Sequence, residues 1–230
     1  MSRPSTNGRV ILWDIDGTLV NSRASRADKH VKAAEVFLGR EPPIHERTAG
    51  KTDRQIISEL LRENRTEPEL AAVVETLKIL DSLSIKEIRK YPVLCNPGAK
   101  DALELASRAG WVNGLLTGNT PVRARAKLKS AGIWQVFNQN YAYFGHQATS
   151  RGDLVATSAF AIRSAGCSIV VIGDTPLDIL SAQEHELKVI AVATGPYSAA
   201  ELSGWHPDLL LNDWKSGWTS LAEFLNSDQN

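Results

Sequence analysis

Two aspartates placed two positions apart carry the first clear chemistry in this chain. Asp14 and Asp16 directly follow the apolar run 9–13 and directly precede Gly17-Thr18. A carboxylate at one position can attack an electrophilic centre, and the other can exchange a proton with a departing or attacking oxygen. The same pair could do no more than solvate the end of a strand or form a turn. The choice depends on which other groups the chain brings to the same place.

Two further positions offer groups that suit a phosphate. Thr117-Gly118-Asn119 follows the apolar run 111–116 and supplies a hydroxyl and backbone amides. Arg151 stands just ahead of the helical pattern 153–165 and can supply a full positive charge. As a surface residue it would be only a solvated charge, so its role depends on the fold.

More carboxylates follow a third apolar run. Asp174 and Asp178 come after residues 168–172, within the segment that begins Gly173-Asp174. Four carboxylates gathered at one place would raise one another's pKa values unless a cation neutralised them. Mg2+ binds one or two carboxylates and completes its shell with waters and phosphate oxygens. An acid near the start of a helix is also favoured for helix capping alone, which leaves a structural role open for Asp178.

The elements that must position these residues are visible as short apolar runs. A strand is predicted at each of five places: 9–13, 111–116, 168–172, 188–193 and, more weakly, 208–211. Helical patterns lie between them at 101–109, 121–131 and 153–165, each followed by a glycine. This alternation predicts an α/β fold with a doubly wound, mostly parallel sheet of Rossmann-like type. Ligands bind beyond the carboxyl ends of such strands, where the acids and Thr117 stand.

Residues 21–91 interrupt the alternation with helical patterns alone. Helices are predicted at 22–38, 52–63, 67–81 and 85–90, and Pro92 and Pro97 mark the return to the α/β pattern. We therefore predict a core domain formed by residues 1–20 and 92–230, with an inserted all-helical cap domain at 21–91.

Composition excludes several classes of function. Lys and Arg total 26, as do Asp and Glu, so no net charge attracts the chain to nucleic acid or to an anionic membrane. The two cysteines lack metal-ligand spacing, and the polar N-terminus lacks the apolar core of a signal peptide. We expect a cytoplasmic protein, monomeric or homodimeric, that acts on a small molecule.

Together these residues resemble the haloacid dehalogenase superfamily, and within it the phosphoglycolate-phosphatase-like branch with a helical cap of the C1 type. The first motif of the family is matched by Asp14 to Leu19, and the second by the apolar run that ends in Thr117. The third is matched by Arg151 and the fourth by Gly173-Asp174 with Asp178. The third departs from its branch, in which most members carry Lys followed by Pro.

The resemblance implies a division of labour among the acids. Asp14 would attack phosphorus and form an aspartyl-phosphate, while Asp16 would protonate the leaving oxygen and then deprotonate the attacking water. The carboxylates of Asp14 and Asp174, with the backbone carbonyl of Asp16, would bind Mg2+. Asp178 would orient the third-motif residue or a metal-bound water.

The resemblance also implies a set of phosphate-binding groups. Thr117 and the amide of Gly118 would donate to the phosphoryl oxygens, with Arg151 supplying charge, and Asn119 could touch the substrate. A helix that starts at Thr120 would add its positive end to the same anion.

Lys51 is the residue of the cap that could reach a substrate. Gly50-Lys51-Thr52 ends like a P-loop, but position 45 is His rather than the required glycine. Members of the branch carry a similar segment that faces the active site, so Lys51 could contact an anionic substrate.

The resulting functional prediction is a Mg2+-dependent phosphatase that acts on a small phosphorylated metabolite, such as a phosphoglycolate-like compound or a sugar phosphate. A dehalogenase is disfavoured because its chemistry needs neither Asp16 nor Mg2+. Three alternatives stay open: a phosphomutase, a phosphonate hydrolase that forms a Schiff base on Lys51, and a non-catalytic binding protein on the same fold.

Overall fold

A six-stranded parallel sheet forms the centre of the molecule. The computed structural model describes residues 8–21, 29–42, 48–62 and 68–227. The strand order is β5-β4-β1-β6-β7-β8, and each neighbouring pair is parallel. The strands are β1 (Arg9–Trp13), β4 (Val112–Thr117), β5 (Ala142–Phe144), β6 (Ser168–Gly173), β7 (Lys188–Val192) and β8 (Leu209–Leu211). All five predicted strands are present, and the predicted α/β class is confirmed.

Strand β5 was not predicted from the sequence. It has three residues, pairs with β4 alone, and is only half-buried. A half-buried edge strand of three residues is too short to form an apolar run that can be recognised in the sequence.

Helices cover both faces of the sheet because successive side chains of each strand point to opposite faces. Ile11 and Trp13 belong to one apolar cluster, with residues of α4, α5 and α9. Val10 and Leu12 belong to the other, with residues of α6, α7 and α8. These helices are α4 (Ala99–Arg108), α5 (Pro121–Ser130), α6 (Arg151–Ser164), α7 (Pro176–Gln183), α8 (Ala199–Ser203) and α9 (Trp218–Ser227).

The predicted glycine stops are confirmed. Gly110, Gly132 and Gly166 follow α4, α5 and α6 with φ angles of 80°, 71° and 73°. This left-handed conformation costs a glycine little, and it ends each helix where the next connection begins.

Three further helices lie between the first strand and the rest of the sheet. They are α1 (Lys29–Leu38), α2 (Asp53–Leu61) and α3 (Leu70–Lys90). They share an apolar cluster of their own, which includes Ala33, Ile57 and Leu80. The predicted helix ends at 22 and at 63 lie outside the described residues. We call α1, α2 and α3 the cap helices, and the assignment of 21–91 to a separate domain stays a prediction.

The prediction of two helices at 67–81 and 85–90 is wrong. A single 21-residue helix, α3, runs from Leu70 to Lys90 and joins residues 70–81 to residues 85–90 without a break, whereas residue 67 lies outside the described ranges. The sequence between the two predicted helices contains no glycine or proline. Ser84 is buried on the same face of the helix as Leu77 and Leu80, so this face continues through the segment.

Two short antiparallel strands join the ends of the helical insert. β2 (Val20–Asn21) pairs with β3 (Leu94–Cys95). Next to them, the side-chain amide of Asn96 donates to the carbonyls of Gly17 (2.8 Å) and Thr18 (3.0 Å). The insert therefore leaves and rejoins the core directly beside the turn that follows Asp16. Across the part of the chain that the structure describes, no helix is long and apolar enough to cross a membrane.

Candidate active site

The predicted acids and the predicted hydroxyl meet at the carboxyl edge of three adjacent strands. Asp14 follows β1, Thr117 ends β4 and Asp174 follows β6, and β1 lies between the other two strands. They line a cavity of about 560 Å³ between the sheet edge and the cap helices, together with Asp16 and Arg151. The predicted convergence of these five side chains is therefore present.

Three carboxylates lie close together at the bottom of this cavity. Oxygens of Asp14, Asp174 and Asp178 are all within 4.8 Å of one another. Burial raises the pKa of Asp14 to about 7; the Arg151 guanidinium opposes this rise, while Asp178 and Asp16 add to it. Burial, with the nearby charge of Asp14, also raises the pKa of Asp174 well above its ordinary value. The three carboxylates therefore carry more negative charge than Arg151 alone neutralises.

The surroundings of Asp174 fit a hard cation. Its Oδ1 accepts a hydrogen bond from the Thr18 hydroxyl at 2.7 Å, whereas its buried Oδ2 accepts none from any described residue. Gly17 and Gly195 pack against this carboxylate so closely that a Cβ atom on either would overlap it. A buried carboxylate oxygen without a donor, beside a second carboxylate, is a donor set that suits Mg2+.

Asp178 lies in the same cluster but has partners on both oxygens. Its Oδ2 accepts from the backbone amide (3.1 Å) and hydroxyl (2.7 Å) of Thr175, and its Oδ1 pairs with Arg151 at 2.6 Å. Thr175 caps α7 and Pro176 is the first residue of that helix. The contact to Arg151 agrees with the predicted orienting role.

Arg151 is buried rather than solvated. It is 3% exposed, and its Nη2 donates to the Leu116 carbonyl at 3.0 Å and lies 3.4 Å from Asp14 Oδ1. Helix α6 begins at Arg151 itself, with Ser150 as its cap, so the prediction that the helix starts near 153 is two residues late. This correction places the guanidinium at the start of a helix, next to the proposed nucleophile.

The segment after β4 connects the hydroxyl of Thr117 to the second acid. The side-chain amide of Asn119 donates to Thr117 Oγ1 at 2.9 Å and to Asp16 Oδ2 at 2.6 Å. A Cβ on Gly118 would overlap the backbone of Lys51, so only glycine lets the cap helices approach this closely. Asn119 thus has a defined contact within the site, a point that the sequence left open.

Lys127 is a site residue that the sequence analysis missed. Its ammonium lies 2.5 Å from Asp16 Oδ2 and 2.7 Å from Asn119 Oδ1. Burial alone would raise the pKa of Asp16, but Lys127 and Asn119 outweigh it and hold that pKa below its ordinary value. The available signal was that Lys127 lies four residues after Arg123, so that two basic residues share one face of α5 beside the buried Ala124 and Leu128.

The cap helices contact the core through a buried acid that was also missed. Asp53, the first residue of α2, pairs with Arg123 and with His30 Nε2, the latter at 2.8 Å. Its backbone amide donates to the Gly118 carbonyl at 2.7 Å. Asp53 therefore fastens α2 to the segment that carries Thr117.

Asp53 also corrects one prediction. The start of α5 was expected to bind the phosphate, but the Thr120 amide donates to Asp53 Oδ2 at 2.8 Å, and the Thr120 hydroxyl donates to Asp81 of α3. The positive end of α5 is thus occupied by carboxylates of the cap helices. Lys51 does line the cavity, where its ammonium pairs with Glu59 at 2.8 Å, and its contact with a substrate stays a prediction.

We expect Asp53→Asn to lower the free energy of unfolding by about 3–5 kcal/mol at pH 7, because the buried Arg123 loses its counter-charge. Burial alone would raise the pKa of Asp53, yet Arg123 and His30 hold it below its ordinary value. The stabilisation is therefore complete above the unfolded pKa of about 3.9 and is lost as pH falls below it. Urea unfolding of both proteins at several pH values measures this, and the difference should shrink below about pH 4.

The exposed Asp101, in the first turn of α4, provides the control, since Asp101→Asn should cost less than about 1 kcal/mol through the helix dipole. A stability difference for Asp53→Asn that stays constant across this pH range would contradict the assignment.

Comparison with protein families finds a model whose match covers these residues. A model described as haloacid dehalogenase-like hydrolase matches residues 11–183 of the chain. This match includes both acids after β1, Thr117, Arg151 and Asp174, and it spans the helical insert.

Individual relatives are distant but cover nearly the whole chain. A curated protein from Dickeya dadantii (strain 3937), named "Probable phosphatase IndB", is 22% identical over 220 residues, which are 88% of this chain and 89% of that protein. A beta-phosphoglucomutase candidate from Bacteroides vulgatus has a TM-score of 0.68 at 19% identity, covering 96% of this chain and 91% of its own. A phosphoglycolate phosphatase candidate from Haemophilus somnus 129PT has a TM-score of 0.62 at 17% identity, covering 96% and 98%. At these identities the structural likeness shows the fold.

Proposed function

The chain belongs to the haloacid dehalogenase-like hydrolases, and we propose that within this family it is a Mg2+-dependent phosphatase acting on a small phosphorylated metabolite. One observation carries the proposal: the Asp14 carboxylate lies beside the Arg151 guanidinium, with a second acid, Asp16, two residues on and facing the same cavity. A nucleophile, a fixed positive charge and a proton-transfer group are the parts that phosphoester cleavage requires.

The second acid separates phosphate transfer from dehalogenation. Displacement of a halide leaves an anion that needs no proton, whereas an alkoxide leaving from phosphorus is strongly basic. Asp16 is placed to pass that proton, since its carboxylate is 45% exposed and lines the cavity. The negative charge of a bound phosphate ester would raise the pKa of Asp16, which Lys127 and Asn119 lower when no substrate is bound, and so would favour its protonated form. This supports a phosphate ester, rather than a haloacid, as the substrate.

The proposed reaction has two balanced steps. First, an oxygen of Asp14 attacks phosphorus, the bond from phosphorus to the ester oxygen breaks, and Asp16 gives its proton to that oxygen. Next, a water gives a proton to Asp16 while its oxygen attacks phosphorus, and the bond to Asp14 breaks. Inorganic phosphate leaves, and both acids return to their starting states.

Fixed groups around Asp14 would hold the transferring phosphoryl group. Arg151 contributes a charge whose direction is set by Asp178 and by the Leu116 carbonyl. Thr117 contributes a hydroxyl, and Gly118 an amide, from the end of β4. Because these groups are positioned before the substrate arrives, little reorganisation is needed as charge develops on the phosphoryl oxygens.

Mg2+ would be held by the carboxylates of Asp14 and Asp174 with the backbone carbonyl of Asp16. Bound there, it would neutralise part of the charge of the carboxylates and of the phosphate oxygens. The donor-free Oδ2 of Asp174 and the raised pKa values of Asp14 and Asp174 support this assignment.

The size and position of the cavity support a small substrate. The cap helices cover the acids, and a volume of about 560 Å³ accommodates a metabolite but not a folded protein or a nucleic acid duplex. Lys51, which lies two residues before the start of α2, is the proposed contact for the substrate beyond its phosphate. A cytoplasmic location stays a prediction.

We expect the purified protein to release phosphate from 4-nitrophenyl phosphate and from at least one member of a panel of small phosphometabolites when Mg2+ is present. Excess EDTA should reduce the release to background, and added Mg2+ should restore it, because the acid cluster then regains its neutralising charge. A phosphate-release assay over the panel measures both effects and ranks the substrates. Release that persists unchanged in EDTA would contradict the metal requirement.

The same core residues would also fit a phosphomutase, a phosphonate hydrolase or a binding protein, and a separate measurement distinguishes each of these. A phosphomutase would transfer phosphate between positions of a sugar and depend on a bisphosphate activator rather than release phosphate. A phosphonate hydrolase would form a Schiff base between Lys51 and its substrate, which borohydride would trap; the ion pair of that lysine with Glu59 would have to open first. A binding protein would show none of these activities.

A further inference from the structure

Helix α5 buries two basic side chains, neither of which has a role in the reaction outlined above. Arg123 and Lys127 lie one helical turn apart and are 6% and 8% exposed. Arg123 pairs with Asp53 and so belongs to the contact between the cap helices and the core. Burying the ammonium of Lys127 costs desolvation energy, so the groups that it contacts indicate its role.

Those partners are two residues of the site itself. Lys127 Nζ donates to Asp16 Oδ2 at 2.5 Å and to Asn119 Oδ1 at 2.7 Å. Asn119 in turn donates from Nδ2 to the same oxygen of Asp16 at 2.6 Å. The three side chains form a closed triangle of hydrogen bonds, whose members come from the end of β1, the end of β4 and the middle of α5.

The triangle fixes one oxygen of Asp16 and leaves the other available. Both hydrogen bonds to the carboxylate end on Oδ2, and within the described ranges no residue donates to Oδ1. The Asp16 side chain is 45% exposed toward the cavity, whereas that of Lys127 is 10% exposed. A carboxylate held by one oxygen can present the other in a constant direction.

We propose that Lys127 is a positioning residue for the reaction: together with Asn119 it holds Asp16 Oδ2 so that Oδ1 faces the oxygen that leaves phosphorus. The inference rests on the proposed function, because it assigns Lys127 a role only in a reaction where Asp16 transfers a proton. Once Asp16 has given up its proton, the ammonium also stabilises the carboxylate that remains.

The triangle has a second consequence for the geometry of the site. Asn119 also donates to Thr117 Oγ1 at 2.9 Å. The same side-chain amide therefore orients the Asp16 carboxylate relative to the segment that would bind the phosphoryl group. The proton donor and the phosphate-binding hydroxyl are thereby held at a fixed separation. Such precision matters because small displacements of a catalytic group lower rates steeply.

Lys127→Met tests the proposal because methionine keeps the length of the side chain and removes the ammonium. Two substrates of similar size are compared: 4-nitrophenyl phosphate, whose leaving oxygen needs little help from an acid, and 4-methylphenyl phosphate, whose leaving oxygen is more basic. We expect kcat/KM, which reports the step that releases the leaving oxygen, to fall about 30-fold or more for the methyl compound and less than about threefold for the nitro compound. Lys127→Arg should recover part of the loss.

The control is Lys129→Met. Lys129 is the same residue type on the same helix but is exposed, so this variant should behave like the wild type with both substrates. Thermal unfolding of all variants shows whether they are folded at the assay temperature. A double variant, Asp16→Asn with Lys127→Met, should lose no more activity on 4-methylphenyl phosphate than Asp16→Asn alone, since Lys127 acts through Asp16.

The outcomes separate this inference from the proposed function. If the wild type is active but Lys127→Met loses activity equally on both substrates, or only through KM, the positioning role is overturned and the phosphatase proposal stays intact. Losses that add in the double variant would also overturn it. Wild-type protein that cleaves neither substrate nor any phosphometabolite with Mg2+ present would overturn the proposed function, and the role of Lys127 with it.

Discussion

Asp14→Asn is expected to lower phosphate release by about 10⁴-fold or more, because an amide cannot form the covalent bond to phosphorus on which both steps depend. The substitution changes neither the shape nor the size of the side chain. It also removes one charge from a cluster in which burial and neighbouring acids raise the pKa of Asp14 to about 7. The variant should therefore be folded, and at least as stable as the wild type in the absence of metal.

Phosphate release from 4-nitrophenyl phosphate and from the best phosphometabolite measures the loss. Asp14→Ala provides a second variant, which deamidation cannot return to aspartate, and Asp101→Asn on α4 is the control with an unchanged rate. A folded Asp14→Asn protein with activity near that of the wild type would exclude Asp14 as the nucleophile.

Asp174→Asn is expected to have opposite effects on activity and on stability. Activity at a fixed Mg2+ concentration should fall about 10²–10³-fold, because the metal would lose one of its two carboxylates. The metal-free variant, however, should unfold at a temperature equal to or above that of the metal-free wild type. The buried Oδ2 of Asp174 receives no hydrogen bond within the described chain, and the neighbouring Asp14 adds to its raised pKa.

Thermal unfolding with increasing Mg2+ measures the second effect without any turnover. The wild type should gain stability as metal is added, by the linkage of binding to folding, and Asp174→Asn should gain little. NaCl at matched ionic strength controls for screening by salt. An Asp174→Asn protein that is stabilised by Mg2+ as strongly as the wild type would exclude Asp174 as a ligand.

The sheet and the acids at its edge could be predicted because both depend on local sequence. Strand β1 is apolar on both faces and ends in acids, so its carboxyl end is marked within a few residues. The same holds for β4 with Thr117 and for β6 with Asp174. Parallel strands bring their carboxyl ends to one edge, so three local patterns were enough to place these side chains together.

The contacts of Lys127 and Asp53 could not be predicted in this way. Lys127 lies 111 residues from Asp16, and Asp53 lies 70 residues from Arg123. Each pairing depends on how α5 is rotated about its axis and on where the cap helices rest, which no local pattern encodes. The single helix α3 was missed for a simpler reason: its middle is polar enough to suggest a break, but contacts with α1 and α2 favour a continuous helix.

The pairing of β2 with β3 has a consequence for how this protein can be altered. The insert leaves the core at Asn21 and returns at Leu94, and these two residues are paired neighbours. Asn96 fastens this point to the turn after Asp16, so the length of the chain between the two ends is not set by any distance across the core. The entropy of closing such an excursion grows only slowly with its length. The helical insert is thus an exchangeable part: recombination between relatives at these two points could give the same bond-breaking apparatus a different choice of molecule.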